Sequence, residues 1–449
     1  MGKKIIVAGL GHGGIAAAAM LAKRGFDVTV YEKKSEGTLG YDWTDIFAPA
    51  ALGIAEMPMP PEDKYEYKEN MTFFAPTSER SLTQHVPYDE LEIKMERKDI
   101  YTHFINHAIG CGVKIEYDCE VLTPVMLGNR VIGIKTSKGD FIGDLVIDAC
   151  GLNSPVRTQL PASMGIEKNV HRDEKITIYR AFYNKASDEE IEAKFRVNFF
   201  AGGEKCISWV ASEDEHTDLL VGRFEEFTLE KLESYADMLR EKSPRLGKDK
   251  VRGGQFVEIP VRHPLSVMVG DGYAAIGDSA FMTVPLIGSG IANSLKAAKM
   301  LADTVSADTV SADITEAYSA ETLWNYQVKY YKALGSGLAP LECVKYMLLS
   351  LTPDELDYCF DSGMLNEDNI TMTANFTSIN TQFKLDPKDL MIKAKAVCKR
   401  PEVLKKVMLC GSRMAQVMAA CATMPRRWDR KKVMQWAKAY SAPFKAYMK

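Results

Sequence analysis

Three glycines and one carboxylate near the N-terminus have the types and spacing to do chemistry. Gly9, Gly11 and Gly14 stand in GLGHGG, between the apolar run KKIIVA (3–8) and the alanine-rich IAAAAMLAKRGF, and Glu32 lies near the end of a second run, DVTVYEKK. In a G-x-G-x-x-G turn the backbone comes close enough to hold a pyrophosphate at a helix N-terminus, and the later acid accepts ribose hydroxyls. This β-α-β unit predicts a dinucleotide site. The alternative is a glycine turn with a purely structural role.

A second glycine loop lies far downstream. In GDSAFMTVPLIGSGIANSL (277–295), Asp278 ends the strand YAAIGD, and Pro285, Gly288 and Gly290 precede Ile291, where the helix IANSLKAAKMLADTV begins. Between the loops, VIDACGLNSPVR (146–157) is an apolar strand ending at Asp148 and Gly151, with a polar turn carrying Ser154 and Arg157. Arg97 opens an amphipathic helix that leads into the strand VKIEYDCEV. No further G-x-G-x-x-G has its own strand and acid, so no dedicated nicotinamide domain is expected.

The segments between these loops read as an antiparallel sheet. ITIYRAFYN (176–184), FRVNFFA (195–201), KCISWVA (205–211) and DLLVGRF (218–224) are short, β-branched or aromatic, and separated by polar turns. Their aromatics Tyr179, Phe182, Phe199 and Trp209 either line a cavity or fill a core. LGYDWTDIF (39–47) concentrates Tyr41, Trp43 and Phe47 without helical or strand period, which suits a loop shaped around a ligand.

Taken in order, the fingerprint with Glu32, Arg97, Asp148 with Gly151, and Gly277–Asp278 with its P-x-x-G-x-G loop resemble one flavoprotein superfamily over roughly residues 3–335. That superfamily includes p-hydroxybenzoate hydroxylase, geranylgeranyl reductases and flavin-dependent halogenases. The resemblance implies an α/β fold in three parts. A Rossmann-like FAD-binding domain takes 1–60, 90–165 and 265–312; an antiparallel β-sheet substrate domain takes 61–89 and 166–264; a helical C-terminal region with a basic tail takes 313–449. It implies FAD, held by Gly9, Gly11, Gly14, Glu32, Lys33, Arg97, Val121, Gly151, Asp278, Pro285, Gly288, Gly290 and Ile291. Asp278 would meet the ribityl and pyrophosphate region, and the 285–290 loop would face the isoalloxazine ring, where helix amides stabilise the charge of a reduced flavin. Transiently bound NAD(P)H or a redox protein would supply the electrons. The substrate cavity beside the ring is assigned Tyr41, Trp43, Phe47, Tyr179 and Trp209.

The reaction leaves a fainter mark. The reductases' Y-x-W-x-F-P has its nearest match in ISWVAS (207–212), which keeps Trp209 but has Ile207, Ala211 and Ser212 elsewhere; this departure argues against a long isoprenoid substrate. The halogenases' W-x-W is absent. The resemblance therefore implies an FAD-dependent oxidoreductase acting on an apolar or aromatic small molecule, read first as a hydride-transferring reductase or dehydrogenase and second as a monooxygenase using NAD(P)H and O2. No catalytic side chain is assigned, since the flavin carries the chemistry in either case.

Composition sets the remaining expectations. The 449 residues are 46% apolar and 26% charged, ordinary for two or three globular domains. No run is long enough to span a membrane and no leader pattern precedes the first strand, which suggests a cytoplasmic protein. Nine cysteines without a C-x-x-C pair read as reduced thiols and no metal is assigned. The net charge of −4 conceals an asymmetry: Lys388–Lys449 carries sixteen Lys and Arg against three acids, about +13, leaving the rest near −17. Such an acidic body argues against nucleic acid as partner. The basic helix at 402–424 is expected to dock on that body by Val403, Leu404, Val407, Met408, Met414 and Val417 rather than on a membrane. The adjacent pentads VSADT and VSADI (305–314) read as a local duplication without function. Oligomeric state is not legible.

Overall fold

A computed structural model of the chain describes residues 3–213, 215–307, 317–375 and 387–445. Most of the pentad repeat lies outside them. The first layer is a six-stranded sheet in the order Val269–Gly270, Tyr273–Ala275, Leu145–Asp148, Lys4–Ala8, Asp27–Tyr31, Lys114–Glu116, parallel except for the first pair. Its central strands are continuously apolar because both faces are covered. Helices His12–Lys23, Arg97–Gly110 and Ile291–Ala307 cover one face, and a three-stranded antiparallel sheet, Val121–Leu127, Arg130–Thr136 and Gly139–Ile142, covers the other. Ala16 to Ala19 of the first helix are fully buried. Small side chains with high helix propensity let this helix lie close to the sheet and to both neighbouring helices.

The second unit is a seven-stranded sheet ordered Leu246–Pro260, Lys175–Lys185, His216–Arg223, Cys206–Ser212, Phe195–Phe199, Thr72–Phe74, Ser81–Thr83. Strand alternation gives it two different faces. Tyr179, Ala181 and Tyr183 pack with helix Leu229–Lys242, whereas Ile178, Phe182 and Leu220 pack with Trp43 on the opposite face. Thr44–Phe47, Ile93–Glu96 and Tyr65–Tyr67 form a small sheet of their own.

The C-terminal region is helical throughout the described residues. Helix Pro401–Ala422 packs along Ser336–Ser350, and Arg430–Lys445 sets Trp436, Tyr440 and Phe444 against Tyr331, Trp324 and His263. Val403 and Val417 are buried as expected and Leu404, Val407 and Met414 are half-buried. Met408 points outward instead, 65% exposed, because it lies on the side of the helix opposite Val403 and Val417.

Beneath this region lies a buried charge cluster. Glu174, His263 and Glu342 bring three ligand-type atoms within 4.8 Å of one another. Arg262 already pairs with Glu174 at 3.1 Å and Lys345 with Glu342 at 3.3 Å, so protein cations fill the role a metal ion would have. All nine cysteines are free thiols.

Candidate active site

A cavity of about 800 Å³ opens at the carboxyl end of the parallel sheet, between the glycine fingerprint and the edge strand Leu246–Pro260. Close packing fixes the fingerprint glycines. A Cβ on Gly9 would lie 2.8 Å from the Ala149 carbonyl oxygen, one on Gly11 2.9 Å from the same atom, and one on Gly14 2.5 Å from Ala149 Cβ. Gly9 also has φ +83°, a conformation that L side chains rarely adopt. The contacts press the start of helix His12–Lys23 against the exit of the neighbouring strand. That helix has no side-chain cap and no acid in its first turn, so its first N–H groups offer an anion site.

Glu32 is held at the cavity wall by both oxygens. Oε2 accepts the Leu10 N–H at 2.9 Å and Oε1 accepts the Lys34 N–H at 3.0 Å. Lys33 and Val121 line the same end. His12, inside the fingerprint, stacks on Tyr101 with ring centroids 4.7 Å apart. Burial, reinforced by the Arg97 charge, lowers its pKa to about 3, so the imidazole stays neutral.

At the other end, the turn after Asp278 forms the floor. Burial raises the Asp278 carboxyl, and Thr283 donates its hydroxyl to it at 3.0 Å. Gly288 takes φ +70° and donates its N–H to the Val284 carbonyl at 3.0 Å. This turn delivers Gly290 and Ile291, the start of helix Ile291–Ala307, to the cavity. Pro285 is buried inside the turn and does not reach the cavity. Gly151 does, at φ +84°.

Arg97 closes one side. Its Nη1 donates to both oxygens of Asp45 at 3.0 and 2.9 Å, and its guanidinium lies 4.9 Å over the Tyr41 ring. Tyr41 and Trp43 both line the cavity. Three other residues assigned to it do not. Phe47 is fully buried in the main core. Tyr179 is on the sheet face turned to helix Leu229–Lys242. Trp209 is on the face shared with Trp43, but three strands from the edge strand that reaches the cavity, set edge-on to Phe195.

The structure adds residues that sequence reasoning passed over. Asp45 anchors Arg97 and stands inside the aromatic stretch already singled out. Tyr101, one helical turn after Arg97, shares its face, which i,i+4 spacing could have shown. Val257 and Ile259 of the edge strand form an apolar wall, with a brief alternation in FVEIP as the one available signal.

An uncapped helix start seated on glycines and a carboxylate placed for ribose fit FAD at one end. A second helix start facing an apolar wall fits its ring at the other. A dinucleotide laid across the sheet edge with its redox end under an antiparallel sheet is the arrangement of a flavin-dependent oxidoreductase.

Comparison with known proteins agrees. No family model matches the chain. It is 22% identical over 444 residues to a digeranylgeranylglycerophospholipid reductase of Sulfolobus acidocaldarius, covering 94% of this chain and 93% of that protein. In fold it is similar to a geranylgeranyl bacteriochlorophyll reductase-like protein from Thermoplasma acidophilum, with TM-score 0.70, 18% identity, and coverage of 91% and 99%. A probable FAD-dependent monooxygenase from Pseudomonas aeruginosa has TM-score 0.57, 15% identity, and coverage of 83% and 99%. The chain is an FAD-dependent oxidoreductase with the fold of geranylgeranyl-reductase-like flavoproteins. No described helix is long and apolar enough to cross a membrane.

Proposed function

We propose that this oxidoreductase is a reductase that adds a hydride and a proton across a carbon–carbon double bond of an isoprenoid lipid, the substrate class named by its relatives. The observation that carries the reading is the wall of Trp43, Val257 and Ile259 facing the helix start at Ile291. Bound FAD supplies the two-electron chemistry, and NAD(P)H or a redox protein renews it. Gly9, Gly11 and Gly14 with the first helix N-terminus hold the pyrophosphate, Glu32 the ribose, and Lys33 and Val121 the adenosine end. Gly151, Asp278, Gly288, Gly290 and Ile291 hold the ribityl chain and ring, while Pro285 shapes their turn. Arg97, fixed by Asp45, orients Tyr41 at the ring's edge. The apolar wall excludes water and holds a hydrocarbon chain over the ring.

In this reading the FAD-binding domain comprises 1–60, 90–165 and 265–312, the sheet domain 61–89 and 166–264, and the protein works in the cytoplasm. A hydroxylase is the second reading, since the departure of ISWVAS from the reductases' motif weighs against the isoprenoid substrate on which the first rests. Anaerobic mixing of the reduced holoprotein with a digeranylgeranyl glycerophospholipid tests the first. Flavin reoxidation with a product heavier by two hydrogens per bond is expected. A product formed only in air and carrying oxygen would establish the second.

A further inference from the structure

The edge strand Leu246–Pro260 carries a bulge just before the apolar wall of Val257 and Ile259. Arg180 pairs with Gln255 but Ala181 with Gly253, so Gly254 is the extra residue. Both glycines take positive φ, +75° and +92°, and a Cβ on Gly253 would lie 3.0 Å from the Arg180 carbonyl oxygen and 3.2 Å from that of Asp42. A bulge bends its strand and re-aims the groups beside it. Here they meet Asp42: the Gly253 N–H donates to its Oδ2 at 3.0 Å, and Gln255 Oε1 accepts its N–H at 3.2 Å.

Arg252 adds a tie to a second segment. Its Nη1 donates to Asp42 Oδ1 at 2.9 Å and to Glu96 Oε2 at 3.1 Å, and its Nη2 to Glu96 Oε1 at 2.6 Å. The guanidinium lies 3.8 Å over the Phe182 ring, which fixes its plane. Neither carboxylate lines the cavity, but each adjoins residues that do: Asp42 stands between Tyr41 and Trp43, and Glu96 precedes Arg97. The Arg97 N–H donates to the Trp43 carbonyl at 3.0 Å, joining the two segments behind the wall. With Asp42 and Glu96 52% and 31% exposed, these ion pairs add little to stability. What a planar fork on two carboxylates supplies is orientation.

We propose that Arg252 is a positioning residue for the FAD site: through Asp42 and Glu96 it holds Tyr41, Trp43 and Arg97 in register with the wall of Val257 and Ile259. The proposal rests on the FAD-dependent chemistry and stands whichever substrate the cavity takes.

Arg252→Gln tests this. Titration of apoprotein with FAD should show affinity lowered by roughly tenfold, and the visible absorption band of the bound flavin should shift, while the melting temperature of the apoprotein holds. Arg252→Lys, able to meet one carboxylate at a time, should fall between Gln and wild type. In a chain that already carries Asp42→Asn and Glu96→Gln, Arg252→Gln should add no further loss. Asp42→Asn alone, at a half-exposed position that tolerates change, should give a smaller shift of the same band. Unchanged affinity and spectrum in Arg252→Gln, or an unshifted band in Asp42→Asn should the first variant fail to fold, overturns the proposal. So does a full additional loss in the Asn/Gln background, which would mean that Arg252 acts through other groups. A lower melting temperature with an unaltered flavin spectrum also overturns it, leaving the tie a stabilising contact and nothing more.

Discussion

Ser279 and Asp148 join two halves of the cofactor cradle that are 131 residues apart in the chain: the serine Oγ lies 3.1 Å from the Asp148 carboxylate. The same hydroxyl receives the Gly151 N–H at 2.8 Å. Asp148 is wholly buried and also accepts from Ser154 at 2.6 Å and Tyr273 at 2.9 Å. The D-x-x-G aspartate thus fastens the turn that presents Gly151, while its own carboxylate is occupied within the protein.

Asp148→Ala should therefore destabilise the apoprotein. It strands buried hydroxyl donors, at about 1–3 kcal/mol each. Urea unfolding of flavin-free protein reads this directly, and an unchanged midpoint would remove Asp148 from its fastening role.

Glu32→Ala should weaken FAD binding by one to two decades, the equivalent of about 1.5–3 kcal/mol for charge-assisted hydrogen bonds to ribose. The rate per bound flavin should change little, because the carboxylate lies at the fingerprint end of the cavity. Fluorescence titration of apoprotein with FAD gives the number.

The flavin should be released by acid precipitation, leaving a colourless pellet. His12 is stacked on Tyr101 and meets Phe104 edge-on, and burial holds the Cys150 thiol well above its usual range, so neither is poised for covalent attachment. Colour retained in the pellet contradicts this.

Tyr41 and Trp43 should separate under mutation although both line the cavity. Tyr41→Leu should raise KM with little change in melting temperature. Trp43 is 4% exposed and packed on Ile176, Phe182 and Leu220, so Trp43→Leu should cost about 2–3 kcal/mol of stability as well. Melting curves beside steady-state kinetics decide the matter.

Acid should weaken the contact between the small sheet and the seven-stranded sheet. Glu213 is flanked by Lys94, to which it is hydrogen-bonded, and His216. Burial alone would raise its pKa, but hydrogen bonding from His216 and the Lys94 charge prevail and bring it to about 2. A folded value below the unfolded one gives stability that is fully present above pH ~4.5 and lost as pH falls toward 2. The contribution is about 2–3 kcal/mol, and Glu213→Gln should flatten the stability profile across that window.

The cofactor end of the site was legible because its signals are local. Strand, glycine turn, helix and Glu32 fall within one β-α-β unit, and each has a steric or electrostatic reason visible at short range. The substrate end was less so. ITIYRAFYN is buried on both faces, so its alternation could not say whether Tyr179 or Phe182 faces the flavin side; helix Leu229–Lys242 decides it. Helix Pro401–Ala422 carries more apolar residues than one face buries, and only its packing on Ser336–Ser350 turns Val403 inward and Met408 outward. The apolar wall at Val257 and Ile259 comes from a long, mostly polar edge strand, where two residues leave almost no periodic trace.

The strand order of the parallel sheet has a consequence for synthesis. Lys4–Ala8 leaves the ribosome before its inner neighbour Leu145–Asp148, and the next strand inward, Tyr273–Ala275, later still. At about 5–20 residues per second, roughly ten to fifty seconds separate Glu32 from Asp278. Through that interval the nascent chain carries an apolar strand with one edge open and a cradle that lacks its floor. The cradle is complete only once Asp278 has emerged, and the strands made before it must be sheltered until then.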